Sequence, residues 1–320
     1  MHSRFPVPRF VRSAVLRSAA LAALATALIA PAIPADTIKP LLFGPFFMNQ
    51  VSVWGSPAGY DYVMTNGFYH FQVGWIEPLA DGRKGLFGET YFETNGNLHV
   101  SPFTSDLGTT FNLKPIRYLE FGLSYNRLLY HNSLVSFARP GSDEKHPPRE
   151  LYTPPEVLAS GREVGGADVF TYQINFTLDM GRTQLYLFGS RQLWDVDAKG
   201  KDFVYEYGDD LLIRTRDRVN HANGVFSLDL RPWSLFRSVS FQGLEVRDRY
   251  WHSDHTELQK NLISFGITGF RLGRNPEHQR RGLDLSVGYW TYHDQIPEGD
   301  VAKSFMVIAD WKWNIHFLKM

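Results

Sequence analysis

Three groups of residues in this chain carry side chains capable of chemistry. The first is His131-Asn132-Ser133, a histidine and a serine two positions apart. An imidazole beside a hydroxyl is the start of a nucleophilic acyl-transfer site, because the ring can take the hydroxyl proton. Such a site also needs a group that orients the base, and no adjacent-strand asparagine is evident in that role. The second group is His252-Ser253-Asp254-His255. It contains metal-ligand types, but four consecutive residues cannot all converge on one ion, so it reads as a solvated turn. The third is a set of charged and amide residues: Glu120, Asn126, Gln173, Asn175, Asp229, Glu245, Arg247, Arg249, Asp284, Asp310 and Lys312. Spaced by even numbers within each segment, they leave one face of an extended strand, where they can line a wet interior. Arg247 and Arg249 would stand about 7 Å apart on that face. No metal or cofactor site is expected.

The elements that must position these residues are written in period two. From Leu119 to Asn126 every odd position is apolar and every even one is polar or glycine. Phe170 to Asp179 alternates in the same way, as does Leu283 to Tyr289. Alternation of this kind places one face of a strand against apolar surroundings and the other against polar ones. Twelve strands are expected, near 46–54, 62–77, 84–94, 104–113, 117–130, 167–179, 182–195, 221–231, 238–251, 259–272, 281–293 and 303–317. Connections after even-numbered strands are mostly short, as at Met180-Gly181-Arg182, whereas two after odd-numbered strands are long, near 132–166 and 196–220. The first is proline-rich between Arg139 and Pro155. The second carries its own alternation, Phe203 to Tyr207 and Leu211 to Arg214, and reads as a separate hairpin rather than two more barrel strands. Short turns at one end and long loops at the other mark an up-and-down transmembrane β-barrel.

Composition narrows the choices further. The 320 residues balance 33 Lys+Arg against 33 Asp+Glu and contain no cysteine. A disulfide scaffold, a thiolate zinc site and a cysteine nucleophile are thereby excluded, and nothing in the charge points to a nucleic-acid partner. Arg4, Arg9, Arg12 and Arg17 precede an apolar stretch from Ser18 to Ala30, followed by Pro31-Ala32-Ile33-Pro34-Ala35. Basic start, apolar centre and small-residue exit make residues 1–35 a secretory signal, with cleavage expected after Ala32 or Ala35. The apolar stretch is shorter than the roughly 20 residues a membrane helix needs. Residues 36–320 then form a single, slightly acidic β-barrel domain.

The final strand ends Val307-Ile308-Ala309-Asp310-Trp311-Lys312-Trp313-Asn314-Ile315-His316-Phe317, with apolar residues at every second position before a terminal aromatic. It resembles the C-terminal assembly signal of Gram-negative outer-membrane barrels, although here Leu318-Lys319-Met320 follow the aromatic. The resemblance implies an outer-membrane location, surrounding lipid and lipopolysaccharide, contact with the outer-membrane assembly machinery, and periplasmic termini. His131-x-Ser133 is also similar in spacing to the His-x-Ser pair of outer-membrane phospholipase A, but Leu134-Val135 follows in place of that family's Asn-Gly. The expected function is a narrow, weakly selective channel for small polar solutes. The rivals are a lipid-modifying hydrolase and a closed barrel whose outer loops bind a surface partner.

Overall fold

The computed structural model describes residues 44–55, 66–79, 85–87, 90–101, 104–137, 163–197, 203–206, 211–236, 239–272, 281–293 and 305–315. The leader, the proline-rich stretch 139–155 and Phe317 with its tail lie outside the described residues. The strands are β1 (Gly44–Gly55), β2 (Asn66–Pro78), β3 (Tyr91–Val100), β4 (Thr104–Ile116), β5 (Leu119–Phe137), β6 (Glu163–Asp179) and β7 (Thr183–Val196). They continue as β8 (Phe203–Glu206), β9 (Leu211–Arg214), β10 (Arg216–Phe236), β11 (Val239–Ser253), β12 (Gln259–Leu272), β13 (Arg281–His293) and β14 (Phe305–Ile315). Among the described residues the only helical piece is a 3-10 turn at Gly85–Phe87, and no helix is long and apolar enough to cross a membrane.

Twelve of these strands form an antiparallel up-and-down sheet, each bonded to its neighbour in the chain, with β7 passing directly to β10. β1 pairs with β2 on one side and with β14 on the other, from Phe47 opposite Ile315 to Gly55 opposite Val307. β8 and β9 form the short hairpin expected from the alternation at 203–214, and it docks on the end of β5 with Val135 opposite Tyr205. The tight turns follow local chemistry. Between β6 and β7, Gly181 adopts φ 84°, a left-handed conformation that favours glycine, and its N–H donates to Asp179 Oδ1 at 2.9 Å.

One strand differs from expectation. A third strand was expected over 84–94, but Leu86 and Phe87 belong to the exposed 3-10 turn and β3 begins at Tyr91. The apolar side of β3 is diluted by Thr94 and Gly96, whereas Leu86-Phe87 is conspicuous and bracketed by glycines, which masks the true register. The turn is held from below, where the Arg117 N–H donates to Leu86 O at 2.8 Å. β3 and β4 are joined by a tight turn, with Ser101 Oγ accepting from Thr104 N at 2.9 Å. β5, β6 and β10 also run further into the two long connections than the alternation indicated.

Register makes the faces consistent around the sheet. Residues directly opposite in antiparallel strands point the same way, so Leu123, Tyr172 and Phe111 share one face while Ser124, Thr171 and Thr110 share the other. The first face carries the exposed large hydrophobics, among them Leu107, Phe121, Phe265 and Val287. The second is enclosed. Toward the short-turn end, and along β2 to β4, it is polar; toward the long-loop end of the remaining strands it becomes apolar. There Tyr130, Val169, Trp194 and Val219 are buried together with Val204 and Ile213 of the hairpin. Leu262, Trp290, Met306 and Ile308 form a second cluster, and Trp251 packs against both. Fully burying such side chains contributes about 1.5–3 kcal/mol each. The alternation makes this face a wet interior along most strands; at the long-loop end it has an apolar core instead.

The face assignment predicts how single charges act. Leu123→Arg and Val287→Arg, on the exposed apolar face, should lower refolding yield in lipid vesicles far more than Ser124→Arg and Ser286→Arg. An outward arginine near a bilayer's midplane costs about 2–4 kcal/mol. Electrophoretic mobility with and without heating measures the folded fraction. Equal yields for the two sets would mean the faces are reversed.

Candidate functional site on the enclosed face

The polar part of the enclosed face is built by β3 to β7, β10 and β11. The alternation of Tyr91, Glu93, Asn95, Asn97 and His99 delivers five polar side chains from β3 alone. Glu120 accepts a hydrogen bond from the Tyr91 hydroxyl and another from Asn175 Nδ2 at 2.8 Å. Asn95 Nδ2 donates to Glu93 Oε1 at 2.7 Å. Arg247 Nη2 lies 2.5 Å from Glu245 Oε1. Higher on the same face His99 Nδ1 is 3.0 Å from Asp106 Oδ2, and the His70 and His99 rings lie 3.9 Å apart. Glycine makes room for this network. At Gly122 a Cβ would come within 2.5 Å of Gln173 Cγ, so the absent side chain is what admits the glutamine.

These hydrogen bonds leave a remainder. The Oδ1 atoms of Asn95, Asn97, Asn112, Asn126, Asn175 and Asn223, with Arg247 Nε and His70 Nε2, are buried without a protein partner. The amide of Asn175 is oriented by its bond to a carboxylate, so the unpartnered atom there is the oxygen, an acceptor. All of these atoms stand on the enclosed face.

Register places Glu120, Asn126, Gln173, Asn175, Asp229, Glu245, Arg247, Arg249, Asp284 and Asp310 on that same face. Lys312 stands opposite Gln50 and Gly282. The structure brings together Glu120 with Asn175, and Glu245 with Arg247. Asp284 lies apart from both pairs, next to β14, and accepts from Gly269 N at 2.8 Å. Tyr91, Glu93, Asn95, Asn97 and His99 were missed because the third strand was placed too early. Their own alternation is the signal that a strand beginning at Tyr91 would have exposed.

His131 lies on the outward face, and its Nε2 is 2.7 Å from Ser105 Oγ on the neighbouring strand. Ser133 belongs to β5, but its side chain is outside the described residues. The sequence offers no hint of Ser105, which meets His131 only through the β4–β5 register. The group His252 to His255 is a turn only in part open to solvent, with His255 exposed. Ser253 is fully buried and donates to Asp217 Oδ2 at 2.8 Å, while Asp217, itself buried, also accepts from the N–H groups of Arg214 and Arg218 and faces His255 Nδ1 at 3.0 Å. Among the described residues no group of three or more His, Cys, Asp or Glu is arranged to hold a metal ion.

No protein-family model matches the chain, and no curated protein does. Solved structures with similar strand arrangement include an outer membrane channel from Pseudomonas putida F1, at 10% identity over 89% of this chain and 100% of that one, with TM-score 0.44. Another is the beta domain of the Bordetella autotransporter BrkA, at 11% identity over 85% of this chain and 99% of that one, TM-score 0.38. A third is LpxR from Salmonella typhimurium, at 9% identity over 83% and 99%, TM-score 0.35.

Asp217 is the anchor of the long-loop end, and its removal has a definite expected outcome. Asp217→Ala leaves the side chains of Ser253 and His255 and three backbone N–H groups, those of Arg214, Arg218 and His255, without their partner and should destabilise the fold by about 3 kcal/mol. Limited proteolysis should then cut within 203–214. A hairpin as protease-resistant as in the wild type would show that Asp217 does not hold it.

Proposed function

We propose that this chain is an outer-membrane β-barrel of twelve strands, closed through the β1–β14 pairing, whose interior passes small polar solutes with weak charge selectivity. The observation that carries the reading is the set of buried amide oxygens without protein partners on the enclosed face. Each would cost about 1–3 kcal/mol in a dry core, and several together would exceed the whole stability of an ordinary domain. In a hydrated passage they cost nothing. The signal at residues 1–35 and the exposed apolar face support export followed by insertion into the outer membrane. Lipid and lipopolysaccharide would surround that face, and the assembly machinery would read the last strand. β5, with 19 residues, and β10, with 21, exceed the roughly 9–11 residues a tilted strand needs to cross, so their overhang extends to the long-loop, external side. Both termini then lie on the periplasmic side.

The apolar layer around Trp194, Trp251 and Trp290 is the constriction of this passage, because narrow apolar segments resist wetting. Selectivity is weak because Arg247 is neutralised by Glu245. In planar bilayers the refolded protein should conduct, and Arg247→Ala with Arg249→Ala should move the reversal potential under a salt gradient toward cation selectivity. A folded wild-type protein that never conducts would defeat the channel reading.

A second reading, a lipid-modifying hydrolase, has one observation in its favour: the Ser105 hydroxyl at hydrogen-bond distance from His131 Nε2 on the outward face. If that pair is a nucleophile and its base, refolded protein should release fatty acid from labelled phospholipid and Ser105→Ala should abolish release. Turnover that survives in the variant removes Ser105 from consideration.

A further inference from the structure

The outward face is not evenly ridged. Two successive rows of side chains cross the strands from β4 toward β11. One row runs Phe111, Leu123, Tyr172, Arg191, each directly opposite the next. The other runs Phe121, Ile174, Gly189, Ala222, again in direct register. The residues between the rows, such as Gln173 and Ser190, turn their side chains to the interior, so only backbone floors the gap. The result is a furrow of about 740 Å³ lined by these residues. It deepens where Gly189 and Ala222 replace large side chains. From β4 to β10 it crosses four strand spacings, about 19 Å. One leaflet of hydrocarbon is about 15 Å deep, so the furrow has the length of a membrane lipid's acyl chain.

The β10 end of this apolar furrow is charged. Arg191 borders it, with Nη2 2.5 Å from Asp254 Oδ2, and Asn220 Nδ2 donates to Asp254 Oδ1 at 2.5 Å. His252 Nδ1 lies 3.6 Å from the same carboxylate. Arg218 is exposed, stands two residues from Asn220 on the same face, and has no ion pair among the described residues. Arg191 is thus paired with Asp254, while Arg218, one row further along β10, leaves one guanidinium in excess beside this end of the furrow. Arg191 remains partly open, with 32% of its side chain accessible.

We infer that this furrow is a binding site for one phosphate-bearing anionic membrane lipid, with an acyl chain along the furrow and the phosphate at Arg191 and Arg218. The inference rests on the reading that the outward face meets a membrane. Charge complementarity selects the occupant: an apolar trough alone takes any chain, but the excess guanidinium beside its end favours an anionic phosphate over a zwitterionic headgroup. The preference expected from one additional charge-assisted contact is about tenfold.

The test is lipid retention. Full-length protein refolded into vesicles of equal phosphatidylglycerol and phosphatidylcholine is extracted in mild detergent, and the lipid it keeps is counted by native mass spectrometry. Wild type should keep phosphatidylglycerol over phosphatidylcholine by about tenfold. Arg191→Gln with Arg218→Gln should bring the ratio to parity. Arg216→Gln removes the same charge from a side chain that pairs with Asp195 away from the furrow, and should leave the ratio unchanged. Gly189→Leu should lower retention of both lipids by filling the furrow; a Cβ there meets Ile174 Cγ2 at an ordinary 3.6 Å, so the backbone accepts a side chain at this position. Equal retention by wild type, or an equal loss in Arg216→Gln, overturns the lipid site while leaving the barrel reading intact. Failure of wild type to insert into vesicles overturns both.

Discussion

Everything in this molecule depends on backbone register. Antiparallel neighbours must satisfy each other's N–H and C=O groups, and the side-chain period is two, so a slip of one residue would carry a whole strand's apolar set to the opposite face. The pairings keep that division despite local register shifts: the exposed large hydrophobics such as Leu107 and Val307 fall on one face, and most of the amides and carboxylates named above fall on the other. Pairing of β1 with β14 also gives both of these strands a bonded neighbour on each side among the described residues, which satisfies backbone groups that an edge strand leaves open.

The enclosed face is divided along its length, and the division carries the functional reading. Gly122 toward the short turns, and Gly108 higher up level with Val169, let amide side chains from neighbouring strands fill the space that a Cβ would take. Tyr91, Asn175 and Glu120 are bound to one another toward the short turns, and several amide oxygens are left over. Near the long loops the same face turns apolar, and Lys260 packs its ammonium over the Trp251 and Trp290 rings at 5.0 and 5.4 Å. That charge is held by π faces in a setting that would otherwise penalise it.

The outer end shows how a charged sequence can still be well anchored. Asp217 gathers donors from the end of β9, the start of β10 and the turn after β11, which fixes the hairpin to the sheet. Arg127 with Asp168, and Arg191 with Asp254, are paired across strands on the outward face at 2.6 and 2.5 Å. These ion pairs are neutral; the excess positive charge beside the furrow is that of Arg218 on β10.

Period two in segments such as Phe170 to Asp179 determined the fold class, the two faces and the membership of most of the enclosed face, because alternation is a local property of the chain. It also set the separate hairpin at 203–214 apart, through Gly208-Asp209-Asp210 between two apolar runs. It did not determine the start of β3, where Leu86-Phe87 competes with a strand whose apolar side is weakened by Thr94 and Gly96. Only the tertiary structure decided which residues meet. Ser105 reaches His131, Asp217 reaches Ser253, and Arg191 reaches Asp254 because strand pairing brings together positions far apart in the chain, and no local pattern encodes that distance. The apolar collar was likewise decided by assembly: single residues such as Val169, Trp194, Val219 and Trp251 look isolated on their own strands and become a layer only when the register aligns them.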